Sequence, residues 1–182
     1  AADGTYAALS ELASHIGDPA VRNRGTIGGS IANNDPAACY PAAALGSGAT
    51  IVTNTREIAA DDFFQGLFET ALAEGEIVTA VKFPMPQQAK YIKFVQPASR
   101  FALVGVFVAK FADGVRVAVT GASNDGVYRW SEAEAALSAD FSASALEGLT
   151  VSSDDMVTDL HGSAEYRAHL VKVMTARAVN AA

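Results

Sequence analysis

The spacing of apolar positions changes period along the chain, and that change sets its organisation. Leu9, Leu12, Ala13 and Ile16 recur at the three-and-four spacing of a helix face. They predict an amphipathic helix capped by Thr5 and stopped by Gly17 and the Asp18–Pro19 pair. Residues 22–41 carry almost no bulky apolar side chains and read as a glycine-rich loop, with Gly28 and Gly29 free to take positive φ. Pro41 opens a short alanine-rich helix over 42–45, closed by Gly46 and Gly48. Residues 49–53 read as a strand, and residues 54–56 as the turn of a hairpin into 57–59. Asp61 and Asp62 cap an aromatic helical turn at Phe63 and Phe64. Residues 76–83 form a strand with Ile77, Thr79, Val81 and Phe83 on one face, ended by Pro84 and Pro86.

Pattern and composition both shift at residues 85–88, which divides the chain into domains of 1–86 and 87–182. Three consecutive strands follow, over 91–96, 101–111 and 115–122, with Asp113–Gly114 as a hairpin signal between the last two. After Trp130 the period becomes helical. Segments 131–137, 143–149, 153–160 and 164–179 each predict a helix, the last with a Ser163 cap and a stripe of Tyr166, Leu170, Val173 and Met174. The expected fold class is α+β, its second domain a three-stranded antiparallel sheet followed by a helical cluster.

Composition narrows the function. Half of the 182 residues are hydrophobic, enough for a real core, and the net charge is −7. With a sequence pI near 4.8, that charge argues against nucleic-acid or anionic-membrane partners. No window approaches the roughly 18 apolar residues that would span a bilayer, and residues 1–6 do not read as a signal peptide. The one cysteine, Cys39, excludes an internal disulfide and suits a reducing compartment. The expected location is the cytoplasm.

The inventory for independent catalysis is thin. His15, His161 and His169 lie on or beside different helices without cysteine partners at ligand spacing, so no metal centre is expected. Cys39 has no base near it in sequence, and a small buried thiol is its simpler reading. The segment Gly25-Thr26-Ile27-Gly28-Gly29 lacks the Lys-Ser/Thr of a P-loop and the strand–turn–helix frame of a Rossmann unit. Its glycines and hydroxyls nevertheless suit an anion such as phosphate. If the chain does chemistry, a cofactor must supply it.

The run Arg22-Asn23-Arg24-Gly25-Thr26-Ile27-Gly28-Gly29-Ser30, followed by Asp35-Pro36-Ala37 and Pro41, resembles the FAD-binding medium subunit of molybdenum hydroxylases, the family of aerobic carbon monoxide dehydrogenases and xanthine dehydrogenase flavin domains. The resemblance continues through Arg56-Glu57-Ile58, Asp61-Asp62-Phe63-Phe64, Gly75-Glu76-Ile77-Val78 on to Pro84, Tyr91-Ile92-Lys93-Phe94, Ala98-Ser99-Arg100, and His161-Gly162-Ser163-Ala164-Glu165-Tyr166-Arg167 on to Arg177-Ala178. It therefore covers nearly the whole chain.

The resemblance implies a second FAD-binding subdomain followed by the flavoprotein C-terminal domain. It gives Thr26, Ile27, Gly28, Gly29 and Ser30 to the FAD pyrophosphate and neighbouring atoms. Cys39 occupies a position that often carries Asp in the family, where a thiol is no equivalent acceptor. Asp35 is a candidate substitute, with a helix cap as its other reading. Val78 and Lys93 match positions near the isoalloxazine, where a cation would favour the anionic reduced flavin; an exposed strand lysine is the plainer reading of Lys93.

The implied partners are an iron–sulfur subunit and a molybdopterin subunit, with electrons passing from iron–sulfur centres through FAD to an acceptor. The family's preceding FAD subdomain has its own glycine-rich loop, for which this sequence has no counterpart. The 182 residues alone are therefore expected to hold FAD weakly or not at all, with exposed apolar surface favouring self-association. A flavin-free assembly or docking module, and another FAD enzyme of the same broad fold, stand as alternatives.

Overall fold

The computed structural model describes residues 5–182. Two apolar cores lie on opposite faces of one antiparallel sheet. That sheet runs β6 (Gln88–Val95), β7 (Ala102–Phe111), β8 (Gly114–Ser123) and β9 (Gly126–Arg129) in sequence order. Side chains on a strand alternate faces, and β7 and β8 are apolar on both. Val104, Val106 and Val108 of β7, with Val115, Val117 and Val119 of β8, pack with the C-terminal helices; Phe107, Ala109 and Ala118 point the other way into the N-terminal core. Burial on both faces accounts for the unbroken apolar run in β7.

The N-terminal layer contains α1 (Ala7–Ser14), α2 (Pro19–Arg24), α3 (Ile27–Asn33) and α4 (Cys39–Gly46). A small sheet follows, ordered β2 (Glu57–Ala59), β1 (Thr50–Thr53), β5 (Val78–Lys82), all antiparallel. Between β2 and β5 come the helical turn α5 (Ala60–Phe63) and a hairpin of β3 (Phe64–Gly66) and β4 (Glu69–Thr70). Residues 39 and 41–46 of α4 are all buried, so α4 is a core helix rather than a surface one. A Cβ on Gly46 would lie 2.9 Å from the Phe107 ring, which is why α4 can press flat on β7. The N-terminal core runs on past residue 86 into Tyr91 and Phe107 without a break.

Several expectations change. The C-terminal sheet has four strands, not three; β9 holds only four residues, too few to show a period. Residues 153–160 are not helical. Val157 N donates to Ala122 O at 2.8 Å and Asn124 N to Asp155 O at 2.9 Å, so this segment extends the end of β8. Met156 is buried there while Leu160 is 89% exposed, although their spacing imitates a helix face. Residues 143–146 form a single 3₁₀ turn. Thr5 does not cap α1, whose N-cap position is Tyr6, with its hydroxyl 2.7 Å from Ser47 Oγ. Asp18 and Pro19 begin α2, with Asp18 Oδ1 accepting from Val21 N at 2.9 Å. The long C-terminal helix α7 (Ala164–Ala181) forms with its Ser163 cap, and α6 spans Ser131–Ala139. No helix among the described residues is long and apolar enough to cross a membrane.

Candidate functional site

The glycine-rich segment is a helix, not a loop. Thr26 sits in extended conformation as the N-cap of α3, and its Oγ1 accepts from Gly29 N at 3.0 Å. Gly28 and Gly29 are helical and do not use positive φ, which falls instead on Asn34 at the C-cap, φ 45°. Glycine is a poor helix former, so tertiary contacts must hold this helix: fully buried Ile31 anchors it, and Asn34 Nδ2 donates to Gly66 O at 2.7 Å and Glu69 O at 2.9 Å. Asn34 thus ties the end of α3 to the β3–β4 hairpin.

The turn between α3 and α4 is held from the opposite sheet. Asp35 Oδ1 accepts from Ala37 N at 2.8 Å, closing a local turn rather than capping α4. Thr120 Oγ1 lies 2.8 Å from both Pro36 O and Ala38 O, and Gly121 N donates to Pro36 O at 2.7 Å. Gly121 adopts φ +83°, and a Cβ there would lie 2.4 Å from Ala102 O. Arg167 of α7, only 2% exposed, donates from Nη1 to Gly121 O and Leu103 O, both at 2.7 Å, and from Nη2 to Asp159 Oδ2 at 2.8 Å. One buried guanidinium therefore links the C-terminal helix, through β8, to the turn that leads into Cys39. The sequence offered no sign of this, because Arg167, Gly121 and Pro36 are far apart in the chain.

Two pockets flank α3. The smaller, about 240 Å³, is lined by Thr26, Ile27 and Gly28 on one side and by residues 78–81 of β5 on the other. A Cβ on Gly28 would rest 3.5 Å from Val78 O, an ordinary contact. The missing side chain is therefore not demanded by packing within the chain; it leaves open the space above Val78. The Ile27 and Gly28 amides head the helix, where no intrahelical acceptor exists for them.

The larger pocket, about 410 Å³, is open to solvent and brings together Ser30, Asp35, Cys39, Lys93, Arg100 and Phe101. Lys93 is partly buried on β6; its Nζ donates to His15 O at 2.8 Å and lies 3.5 Å from Cys39 Sγ. Beside the same thiol stands Tyr91, 1% exposed. Burial first, and then the adjoining Cys39, hold its phenol well above the usual range. The Tyr91 hydroxyl is buried without a hydrogen-bond partner. Arg100 holds a left-handed backbone, φ 62°. Of the expected site residues, Thr26, Ile27, Gly28 and Val78 thus share one pocket and Ser30, Asp35, Cys39 and Lys93 the other. Gly29 lies between them with its amide committed to the Thr26 cap.

Residues 1–86 match the family described as the FAD binding domain in molybdopterin dehydrogenase. The nicotine 6-hydroxylase medium subunit of Paenarthrobacter nicotinovorans is 35% identical over 91% of this chain. The carbon monoxide dehydrogenase medium chain of Hydrogenophaga pseudoflava is 31% identical over 96% of it. This chain belongs to the FAD-binding medium-subunit family of the molybdenum hydroxylases. A solved structure of the Hydrogenophaga pseudoflava carbon monoxide dehydrogenase superposes with a TM-score of 0.82 at 33% identity. The quinoline 2-oxidoreductase of Pseudomonas putida 86 superposes at 0.79 with 28% identity. The chain spans 63% and 66% of the lengths of the two medium subunits named. Each solved chain is likewise covered over 66% of its length.

Proposed function

We propose that this chain forms part of the FAD subunit of a molybdenum-containing hydroxylase or dehydrogenase, in which electrons pass from iron–sulfur centres on a partner subunit through FAD to an external acceptor. The observation that supports this most is the gap at Gly28. A glycine stands where packing within the chain would accept a side chain, beneath a capped helix start and opposite Val78. Such a cradle fits a phosphate-bearing cofactor approaching backbone amides. Ser30 and Lys93 add a hydroxyl and a positive charge on the wall of the adjoining pocket. Bound FAD would supply both hydride and single-electron transfer. The protein's share is to bind the cofactor, orient it and set the charge around it. No general acid or base is required of this subunit, since the substrate would be oxidised at a molybdenum centre elsewhere in the complex.

The test is FAD titration of the complete subunit, wild type and Gly28→Val, followed by flavin fluorescence and gel filtration. The variant should fold with nearly unchanged thermal stability and lose FAD affinity at least about tenfold, the equivalent of 1.4 kcal/mol. A complete subunit that purifies colourless and takes up no FAD would overturn the proposal. Reduction of the bound flavin by substrate only when the iron–sulfur and molybdopterin subunits are present tests the relay itself.

A further inference from the structure

We propose that Cys39 is a peroxide-sensitive site, oxidised reversibly to a sulfenic acid that Lys93 and Tyr91 hold in place. Four observations meet at its sulfur. Cys39 is the first residue of the eight-residue helix α4, whose leading amides lack intrahelical acceptors and favour negative charge. The Lys93 ammonium lies 3.5 Å from Sγ, and its other partner is a backbone carbonyl, His15 O; no carboxylate pairs with it among the described residues. Fully buried Tyr91 adjoins the same thiol, and its hydroxyl makes no hydrogen bond. Finally, Cys39 is 4% exposed but lines the open 410 Å³ pocket, through which a molecule the size of hydrogen peroxide can reach it.

A thiol is a weak acceptor for two such donors. An oxygen placed on the sulfur would serve both. Cysteine reactivity rises beside a lysine and at a helix N-terminus, and both surround Cys39. In the proposed step the Cys39 sulfur gives up its proton and attacks one oxygen of a hydroperoxide. The S–O bond forms as the O–O bond breaks, sulfur loses two electrons, and the departing hydroxide takes up a proton to leave as water. The Lys93 ammonium is placed to donate to the departing oxygen and then to the new S–OH. Cys39 is the only cysteine in the sequence, so no resolving thiol lies within the chain. Reversal falls to an external thiol, which condenses with the sulfenic acid to release water; a second thiol then frees the resulting disulfide.

The experiment treats the purified protein with hydrogen peroxide in the presence of dimedone and maps the adduct by peptide mass spectrometry. Folded protein should label at Cys39 faster than the same protein unfolded in urea. Lys93→Met should slow labelling about tenfold and Lys93→Arg restore part of it, since a charge-assisted donor is lost and then replaced. Tyr91→Phe should carry more of the sulfur on to sulfinic acid, because the sulfenic oxygen loses one of its two donors. Sulfoxide formation at Met85, which is 55% exposed, checks that every sample received the same oxidant dose. Near-ultraviolet circular dichroism checks that the variants are folded. Labelling of folded Cys39 no faster than in urea, or a folded Lys93→Met that labels at the wild-type rate, would overturn the proposal.

Discussion

Replacing Arg167 with Met should destabilise the protein by about 3 kcal/mol and loosen a site in the other core. The guanidinium is 2% exposed and satisfies two backbone carbonyls, Leu103 O and Gly121 O, each at 2.7 Å. Methionine fills much of the same volume but donates nothing. A buried acceptor left without a partner costs about 1–3 kcal/mol, so stranding two gives a range of about 2–6 kcal/mol. Two considerations place the result in the lower half of that range. Removing the cation also removes its own desolvation penalty, and Asp159, whose side chain is 36% exposed, can turn to water. Urea unfolding followed through Trp130, the single tryptophan and itself 4% exposed in the affected core, reads the change directly. At this chain length the expected loss in Tm is about 6–12 °C. Asp159→Asn, which leaves both carbonyls satisfied, should cost less than about 1 kcal/mol. Because Gly121 N donates to Pro36 O, Arg167→Met should also weaken FAD binding by the complete subunit. An Arg167→Met unfolding free energy within about 1 kcal/mol of wild type would refute the assignment of Arg167 as the link between helix and site.

Gly121→Ala should be worse than Arg167→Met and yield little soluble protein, because φ +83° and a Cβ 2.4 Å from Ala102 O leave no room to relax; recovery after expression is the measurement. Thr26→Ala removes the only side-chain cap of α3 and should cost about 1 kcal/mol, with Thr26→Ser close to wild type in the same thermal melt. Glu76 gives a pH prediction: hydrogen bonding from Arg56 first, then from the Ala73 amide, Thr53 and Thr55, holds its carboxyl well below the ordinary 4.5. A carboxyl lowered in the folded state stabilises it fully above the unfolded value, and this is lost as pH falls through the folded one. Glu76→Gln should therefore be less stable than wild type at neutral pH, and the gap should narrow as pH drops below 4.5; a gap that stays constant down to acid unfolding would contradict the assigned network.

Much of the strand order was legible in the sequence because it depends on local alternation. The β1–β2 hairpin, β7 and β8, and the capped helix α7 all stand where period and turn residues placed them. The misreadings have one physical origin, the competition between local pattern and long-range contact. Residues 26–33 looked like a loop because glycine disfavours a helix, but Ile31 packing and the Asn34 clamp on the β3–β4 hairpin outweigh that preference. Residues 153–160 looked like a helix because Met156 and Leu160 share its spacing, yet the free edge at the end of β8 captured the backbone instead.

For the site, the sequence alone determined the residue types and the family they resemble. A glycine-rich segment running on to Asp35, Pro36 and Cys39, with Val78 and Lys93 downstream, carries in covalent order the residues on which the resemblance rests. Only the tertiary structure decided which of these residues meet. It divided them between two pockets on either side of α3, set Lys93 and Tyr91 against the one thiol, and fixed the intervening turn through Thr120, Gly121 and Arg167. Those contacts join positions dozens of residues apart by hydrogen bonds that exist only once both faces of the β7–β8 ribbon are buried, and no local periodicity encodes them.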